Sequence, residues 1–222
     1  MCKTLFDEDE LKEEICSVMK RLFDRGLISA LGGNVSARLP RSKEFWITPS
    51  GTFKGGLSSD DLIKMDLEGN VIEGFTRPST EWSLHAIIYK NREDVNAVIH
   101  AHNPFATGLA LAGVGIKPVT VGVVLTLGKV PIVPFEFPGT DKLAKRVAEY
   151  LPGVRALILQ NHGVVGLGYN LLEAETIVET LEEMAITQFV AMALSQGGEI
   201  PLIPEKDVEL MIKHYKVRER SA

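Results

Sequence analysis

The stretch Val95-Asn96-Ala97-Val98-Ile99-His100-Ala101-His102-Asn103-Pro104 decides how the rest of the chain is read. Val95 to His100 is an apolar run of strand length that stops at a polar turn, as a buried strand does. A helix is expected on each side. Upstream, Ser79 or Thr80 is placed to cap a helix running to about Asn91, with Trp82, His85, Ala86 and Tyr89 spaced for one face. Downstream, Phe105 to Ala112 reads as a short helix. The alternation continues in both directions. Leu11, Ile15, Val18, Met19, Leu22 and Phe23 recur at spacings of three and four, the mark of an amphipathic helix that Asp7 or Asp9 starts and Gly26 ends. Ser29 to Arg38 is a glycine turn entering a short strand, and Glu44 to Thr48 is a second strand, broken by Pro49-Ser50-Gly51. Leu62 to Met65 and Val71-Ile72 flank Glu68-Gly69-Asn70 as a hairpin. Beyond the central stretch come a strand at Val130 to Val133, a helix at Thr140 to Leu151 and a strand at Arg155 to Leu159. A brief strand, Val164-Val165, follows. Leu171 to about Ser195 is a long helix with Ile177, Leu181, Met184 and Phe189 facing inward, and Glu205 to Tyr215 is the last helix. No repeat or linker interrupts the pattern, so a single α/β or mixed domain over 1–222 is expected.

The composition bounds the function. Of 222 residues, 45% are hydrophobic and 24% charged, as in ordinary globular proteins, and the net charge of −5 disfavours a nucleic-acid surface. No apolar stretch reaches the roughly 18 residues that a membrane span needs. Met1 to Glu10 is acidic and lacks the order of a signal peptide. Cys2 and Cys16 fit no zinc or redox spacing, and Cys16 falls on the apolar side of the first helix as a buried thiol. A cytoplasmic protein without disulfides is expected, with no membrane or nucleic-acid partner.

Chemistry concentrates at strand ends. His100 and His102 are two apart, so on a strand both imidazoles share a face, while Ala101 faces away. They are either two polar residues at a strand terminus or two ligands of one ion. His162 repeats the setting, since the apolar strand Ala156 to Leu159 ends in Gln160-Asn161-His162-Gly163. Three histidines at two strand ends favour a shared site. Three nitrogen ligands with one open position is the catalytic arrangement of zinc, although other divalent ions accept the same donors and a redox metalloprotein is a further reading. Glu81 opens a helix, where it either complements the helix dipole or serves as a general base beside the metal. Leu31-Gly32-Gly33-Asn34, Thr48-Pro49-Ser50-Gly51 and Ser79-Thr80 each offer backbone N–H groups at a tight turn or helix start, suited to an anion such as phosphate. Lys54 and Arg77 lie nearby and are expected on the solvated surface.

In this order, these residues resemble the class II aldolase family, which includes fuculose-phosphate aldolase and ribulose-phosphate epimerase. The matching stretches are Gly33-Asn34-Val35-Ser36-Ala37-Arg38, Ile47-Thr48-Pro49-Ser50-Gly51, Pro78-Ser79-Thr80-Glu81-Trp82, His100-Ala101-His102 and Gln160-Asn161-His162-Gly163. The resemblance implies an α/β/α domain with a central, mainly antiparallel sheet, and a homotetramer with active sites between subunits. It implies zinc held by His100, His102 and His162, and Glu81 as acid/base. It also implies a phosphorylated sugar held by Gly33, Asn34, Ser50, Gly51, Ser79 and Thr80, with Tyr215 as a C-terminal tyrosine that closes the site. One departure stands out: where the family's aldolase carries a tyrosine from the neighbouring subunit, Lys117 to Gly122 has none, and Gly122 takes the aligned position.

The activity so implied is reversible cleavage of a sugar 1-phosphate into dihydroxyacetone phosphate and an aldehyde through a metal-stabilised enediolate. A dehydratase, decarboxylase or 4-epimerase on the same metal site is the alternative, and glutamate at position 81 leans towards the aldolase. A non-catalytic module similar to the adducin head domain would be expected to lack the metal ligands, and here all three histidines are present.

Overall fold

The computed structural model describes residues 7–196 and 198–219, the last four as backbone only, so Cys2 lies outside the described residues. The first helix, α1 (Glu8–Asp24), buries Leu11, Ile15, Val18, Met19 and Leu22 and carries Glu8, Asp9 and Glu10 in its first turn, where the helix dipole favours negative charge. Gly26 adopts a left-handed φ of 69°, and the N–H groups of Gly26 and Leu27 donate back to the carbonyls of Phe23 and Leu22 to end the helix. Cys16 is half-buried on this helix, and burial pushes its thiol up to about 11.

Eight strands follow: β1 (Asn34–Ala37), β2 (Glu44–Ile47), β3 (Ile63–Asp66), β4 (Val71–Glu73), β5 (Ala97–Ala101), β6 (Ile132–Val133), β7 (Ala156–Leu159) and β8 (Gly163–Gly168). They form one sheet in the order β4-β3-β2-β1-β5-β8-β7-β6, antiparallel throughout except where β6 pairs with β7. The helices α2 (Trp82–Asn91) and α4 (Asp141–Ala148) cover one face. The other face is covered by α1, α3 (Pro104–Leu111) and α5 (Leu171–Leu194). The α/β/α arrangement with a mainly antiparallel sheet is therefore the one expected. Among the described residues, no helix is long and apolar enough to cross a membrane.

The alternation of β5 separates the layers. Ala97, Ile99 and Ala101 join the apolar cluster with α1 and α5, while Val98 joins the cluster with α2 and α4. Antiparallel pairing sets Asn34 opposite His100, and Ala101 opposite Val164. The start of β1, the end of β5 and the turn between β7 and β8 thus lie side by side at one end of the central strands.

Four local features differ from the sequence expectation. The brief strand at Val164-Val165 is the six-residue β8, whose pattern is hidden by three glycines, of which Gly166 and Gly168 are needed under α5 and Gly163 beside the end of β5. A Cβ at Gly166 would lie 2.9 Å from the Ala174 carbonyl oxygen. Phe189, expected inward, is 48% exposed and packs edge-on against Phe105 at 5.4 Å. At 1.5 Å per residue the 24 residues of α5 extend about 36 Å, so its last turns overhang the short strands beneath. Val123–Leu127 forms a π-helical turn where no element was expected. Lys54 is buried rather than solvated, at 2% exposure.

Candidate active site

Strand geometry assembles the histidines. His100 is fully buried, and its Nδ1 lies 3.0 Å from the Val164 carbonyl, which can only accept a hydrogen bond. Nδ1 therefore carries the proton, and the Nε2 lone pair of the neutral ring faces the site. The backbone N–H of His102 donates to the Leu27 carbonyl at 2.8 Å, and its Nε2 stands 3.2 Å from that of His100. The turn between β7 and β8 supplies His162. Asn161 takes the left-handed φ of 61° that asparagine tolerates, and the N–H of His162 donates to the Leu159 carbonyl at 3.1 Å. Glycine is obligatory after it: a Cβ at Gly163 would fall on the Ala101 carbonyl and lie 3.1 Å from both His100 and His102 ring carbons. The ring centroids are 5.0 Å apart for His100 and His102, 4.6 Å for His100 and His162, and 5.9 Å for His102 and His162.

This donor set fits a divalent cation. One ring nitrogen from each histidine lies within 4.8 Å of the other two. Nitrogens bound at 2.0–2.1 Å to a tetrahedral zinc are separated by about 3.3 Å, close to the 3.2 Å between the His100 and His102 Nε2 atoms. A lone pair aimed at a second ring nitrogen needs a positive charge between the two, from a proton or a cation. Burial pulls His100 down to about 4 and His102 below its ordinary value, which keeps both neutral and able to bind an ion at physiological pH.

Glu81 stands immediately before α2 and is 7% exposed. Its Oε2 lies 3.3 Å from His100 Nε2 and accepts a hydrogen bond from Asn34 Nδ2 at 2.9 Å. Its Oε1 lies 3.4 Å from His162 Nε2 and has no hydrogen-bond partner. Burial raises the Glu81 pKa, but attraction to His100 and His162 and the Asn34 amide outweigh it, leaving the carboxyl below its usual range. The attraction to His100 needs an imidazolium, whereas His100 is neutral above about pH 4. The Asn34 hydrogen bond, by contrast, does not depend on the charge of His100.

The stretches expected to bind an anion converge near Glu81, though not all their donors are free. The Ser50 N–H donates to the Arg77 carbonyl at 2.9 Å, and the Ser79 N–H to the Thr48 carbonyl at 3.1 Å, which stitches 48–50 to 77–79. Gly51 turns outward at φ 71° and Gly33 turns at φ 77° towards β1. The Ser79 hydroxyl accepts from the Glu81 N–H at 3.3 Å and keeps its own proton to donate, and Thr80 is exposed. Lys54 lies below the 48–51 turn, where its Nζ donates to the Pro49 carbonyl. Burial pulls this lysine down to about 8, and Arg77 remains exposed as expected. Tyr215, on α6 (Glu205–Glu219), is not among these groups. It lines a groove with Lys129, Gly153 and Arg155, at the opposite end of β7 from His162. Gly122 precedes the π-helical turn, 3.6 Å from Met184 Sδ as measured from an added Cβ.

Three buried polar residues behind Glu81 escaped the sequence reading. His85 Nε2 lies 2.5 Å from Asn34 Oδ1, and its Nδ1 lies 2.6 Å from Ser36 Oγ, which is 2.7 Å from the Tyr89 hydroxyl. The signal was present in two periods. Glu81, His85 and Tyr89 repeat every four residues along one helix face, and Asn34 and Ser36 every two along one strand face. The helix face reads as apolar, which hid the polar stripe within it.

A family model described as the class II aldolase and adducin N-terminal domain matches residues 13–189. The L-fuculose phosphate aldolase of Methanocaldococcus jannaschii is 38% identical over 174 residues, 78% of this chain and 93% of that protein. The 3-oxo-tetronate 4-phosphate decarboxylase of Escherichia coli K12 is 35% identical over 188 residues, 82% of this chain and 88% of that protein. Among solved structures, an L-fuculose 1-phosphate aldolase superposes with a TM-score of 0.86 at 35% identity, covering 93% of this chain and 96% of that one.

Proposed function

We propose that this chain, which belongs to the class II aldolase and adducin N-terminal domain family, reversibly cleaves a sugar 1-phosphate into dihydroxyacetone phosphate and an aldehyde. The observation that carries this reading is a buried carboxylate oxygen without a donor, Glu81 Oε1, facing three converging imidazoles. His100, His102 and His162 would hold a divalent ion, zinc by preference for these donors. When bound, such an ion supplies Lewis-acid stabilisation of the negative charge that builds on adjacent carbonyl and hydroxyl oxygens as the carbon–carbon bond breaks.

The chain's own residues do the rest. Glu81 moves the carbon-bound proton, delivering it to the hydroxymethyl carbon in cleavage and removing it in the synthetic direction, while the proton of the hydroxyl that becomes the aldehyde oxygen passes to water. The hydroxyls of Ser50, Ser79 and Thr80 and the backbone around Gly33, Asn34 and Gly51 hold the substrate phosphate, which fixes the reacting carbon against Glu81. Lys54 adds positive charge beneath that cradle. Tyr215 would close the site of a neighbouring copy, in keeping with a tetramer whose sites lie between subunits.

The test is proton exchange on dihydroxyacetone phosphate in heavy water with zinc-loaded protein, followed by NMR. Stereospecific deuteration of the hydroxymethyl carbon is expected, and Glu81→Gln should slow it by about 10²–10⁴-fold with zinc still bound. Near-normal exchange in that variant would remove Glu81 from its role. A second reading, decarboxylation of a 3-oxo acid phosphate, is favoured by the tyrosine-free stretch Lys117 to Gly122 and by the decarboxylase relative. Both reactions pass through the same enediolate of dihydroxyacetone phosphate, so product analysis separates them: release of carbon dioxide from 3-oxo-tetronate 4-phosphate would select the decarboxylase.

A further inference from the structure

We propose that His85 is a positioning residue: acting through Asn34, it determines which oxygen of Glu81 carries the substrate proton. The inference rests on the assignment of Glu81 as acid/base. It begins from the side chains at 81, 85 and 89 on one helix face and those at 34 and 36 on one strand face, which interleave in a layer with no apolar atom between successive polar groups. All five side chains are buried.

The hydrogen-bond directions follow from the one group that can only accept. An ionised Glu81 accepts, so the end of the Asn34 carboxamide at 2.9 Å from Oε2 is its NH2. Asn34 Oδ1 then faces His85 Nε2 at 2.5 Å and requires a proton there. In a neutral ring Nδ1 is left as an acceptor, so the Ser36 hydroxyl, 2.6 Å away, donates to it. Ser36 Oγ in turn accepts from the Tyr89 hydroxyl at 2.7 Å. The run starts at Tyr89, whose phenol burial holds in the protonated form, and ends at Glu81 Oε2. Burial likewise keeps His85 uncharged, pulled down to about 3.

The opposite sense would place the Asn34 carbonyl against Oε2 and exists only if Oε2 carries a proton. The stack therefore keeps Oε2 as an acceptor throughout turnover and leaves Oε1, which has no hydrogen-bond partner, as the oxygen that takes up and returns the proton. A proton collected from substrate stays beside the substrate rather than passing into the interior. His85 touches no reacting atom; its effect is to hold the Asn34 amide in one of two orientations.

Two variants separate this role from plain packing. His85→Leu removes the donor to Asn34 and the acceptor for Ser36, whereas His85→Gln supplies a carboxamide with both. Zinc-loaded wild type should show His85 as the Nε2–H tautomer by nitrogen-15 NMR, and a shifted, slowly exchanging Asn34 amide. In His85→Leu, kcat for hydroxymethyl exchange on dihydroxyacetone phosphate should fall by about 10- to 100-fold with KM and zinc content unchanged. His85→Gln should recover most of that loss. An Nδ1–H tautomer, or a His85→Leu enzyme with wild-type kcat, overturns the proposal. If wild type itself exchanges no deuterium, the assigned reaction fails, and the Asn34 amide decides the inference separately. Loss of its protection in His85→Leu and return in His85→Gln supports the relay, while an unchanged amide refutes it.

Discussion

On one side of β5, Ala97, Ile99 and Ala101 join an apolar cluster with side chains of α1, α5 and their neighbours. On the other side, Val98 packs under α2, and the next residue on that face is His100 with Glu81 3.3 Å from its Nε2. The two faces are equally buried, yet one is dry packing and the other grades from apolar core into a polar layer within two residues. Packing tolerates no gap but accepts any shape-filling hydrophobe. The polar layer requires a partner for every donor and acceptor, so each residue there constrains the next. The atom left unsatisfied at its end, Glu81 Oε1, lies at the proposed reaction centre rather than in the stack behind it.

Substitutions on adjacent β5 residues should separate the faces most sharply. His100→Ala should abolish stoichiometric zinc binding and reduce hydroxymethyl exchange by roughly 10³-fold or more, because charge stabilisation worth several kcal/mol is lost. Metal analysis and exchange NMR check it. Ile99→Ala should destabilise the fold by about 2–5 kcal/mol through the cavity it leaves, while zinc content stays at wild type. A denaturant titration measures the first quantity, and a loss of zinc at full folding would break the separation.

The polar face should also show in the pH dependence of stability. His85 is pulled from an ordinary 6.5 down to about 3 by burial. Between these values the unfolded chain binds a proton that the folded chain refuses, so stability is full above about 6.5 and falls as pH drops towards 3. The slope from this one proton is about 1.4 kcal/mol per pH unit. Urea midpoints from pH 7 to 4 should therefore flatten in His85→Gln relative to wild type. The smallest effect is expected at Lys54, lowered from 10.5 to about 8 by burial. The unfolded chain binds the extra proton between those values, so stability contributed here rises with pH across 8 to 10.5. Lys54→Met should erase that rise and alter stability at pH 7 by only about 1 kcal/mol. A larger loss would show that the hydrogen bond to the Pro49 carbonyl outweighs the burial of the ammonium.

Much of the site was legible because it obeys short periods. The spacing of His100 and His102 alone puts both rings on one face, and Gln160-Asn161-His162-Gly163 announces a turn at a strand end. Lys54 was misread because a lysine after Pro49-Ser50-Gly51 looks solvated, and nothing local shows that Ala30 lies beside it, accepting its N–H at 2.9 Å. Phe189 was misread because helical period says which way a side chain points but not where the sheet beneath it stops. The backbone donors of Ser50 and Ser79 looked free because their acceptors, Arg77 and Thr48, lie far off in sequence.

The sequence by itself determined the order of the main helices and strands, the face that His100 and His102 share, and the residue types available for an ion, a proton and a phosphate. These depend on backbone periods of two and 3.6 residues and on turn stereochemistry, which act over a few residues. Only the tertiary structure decided which faces meet. Asn34 reaches Glu81 across 47 positions of sequence and His85 across 51. Those contacts exist because β1 is paired beside β5 while α2 crosses over both. Hydrogen-bond direction in that layer is set by the carboxylate at its end, and so is a property of the assembled stack.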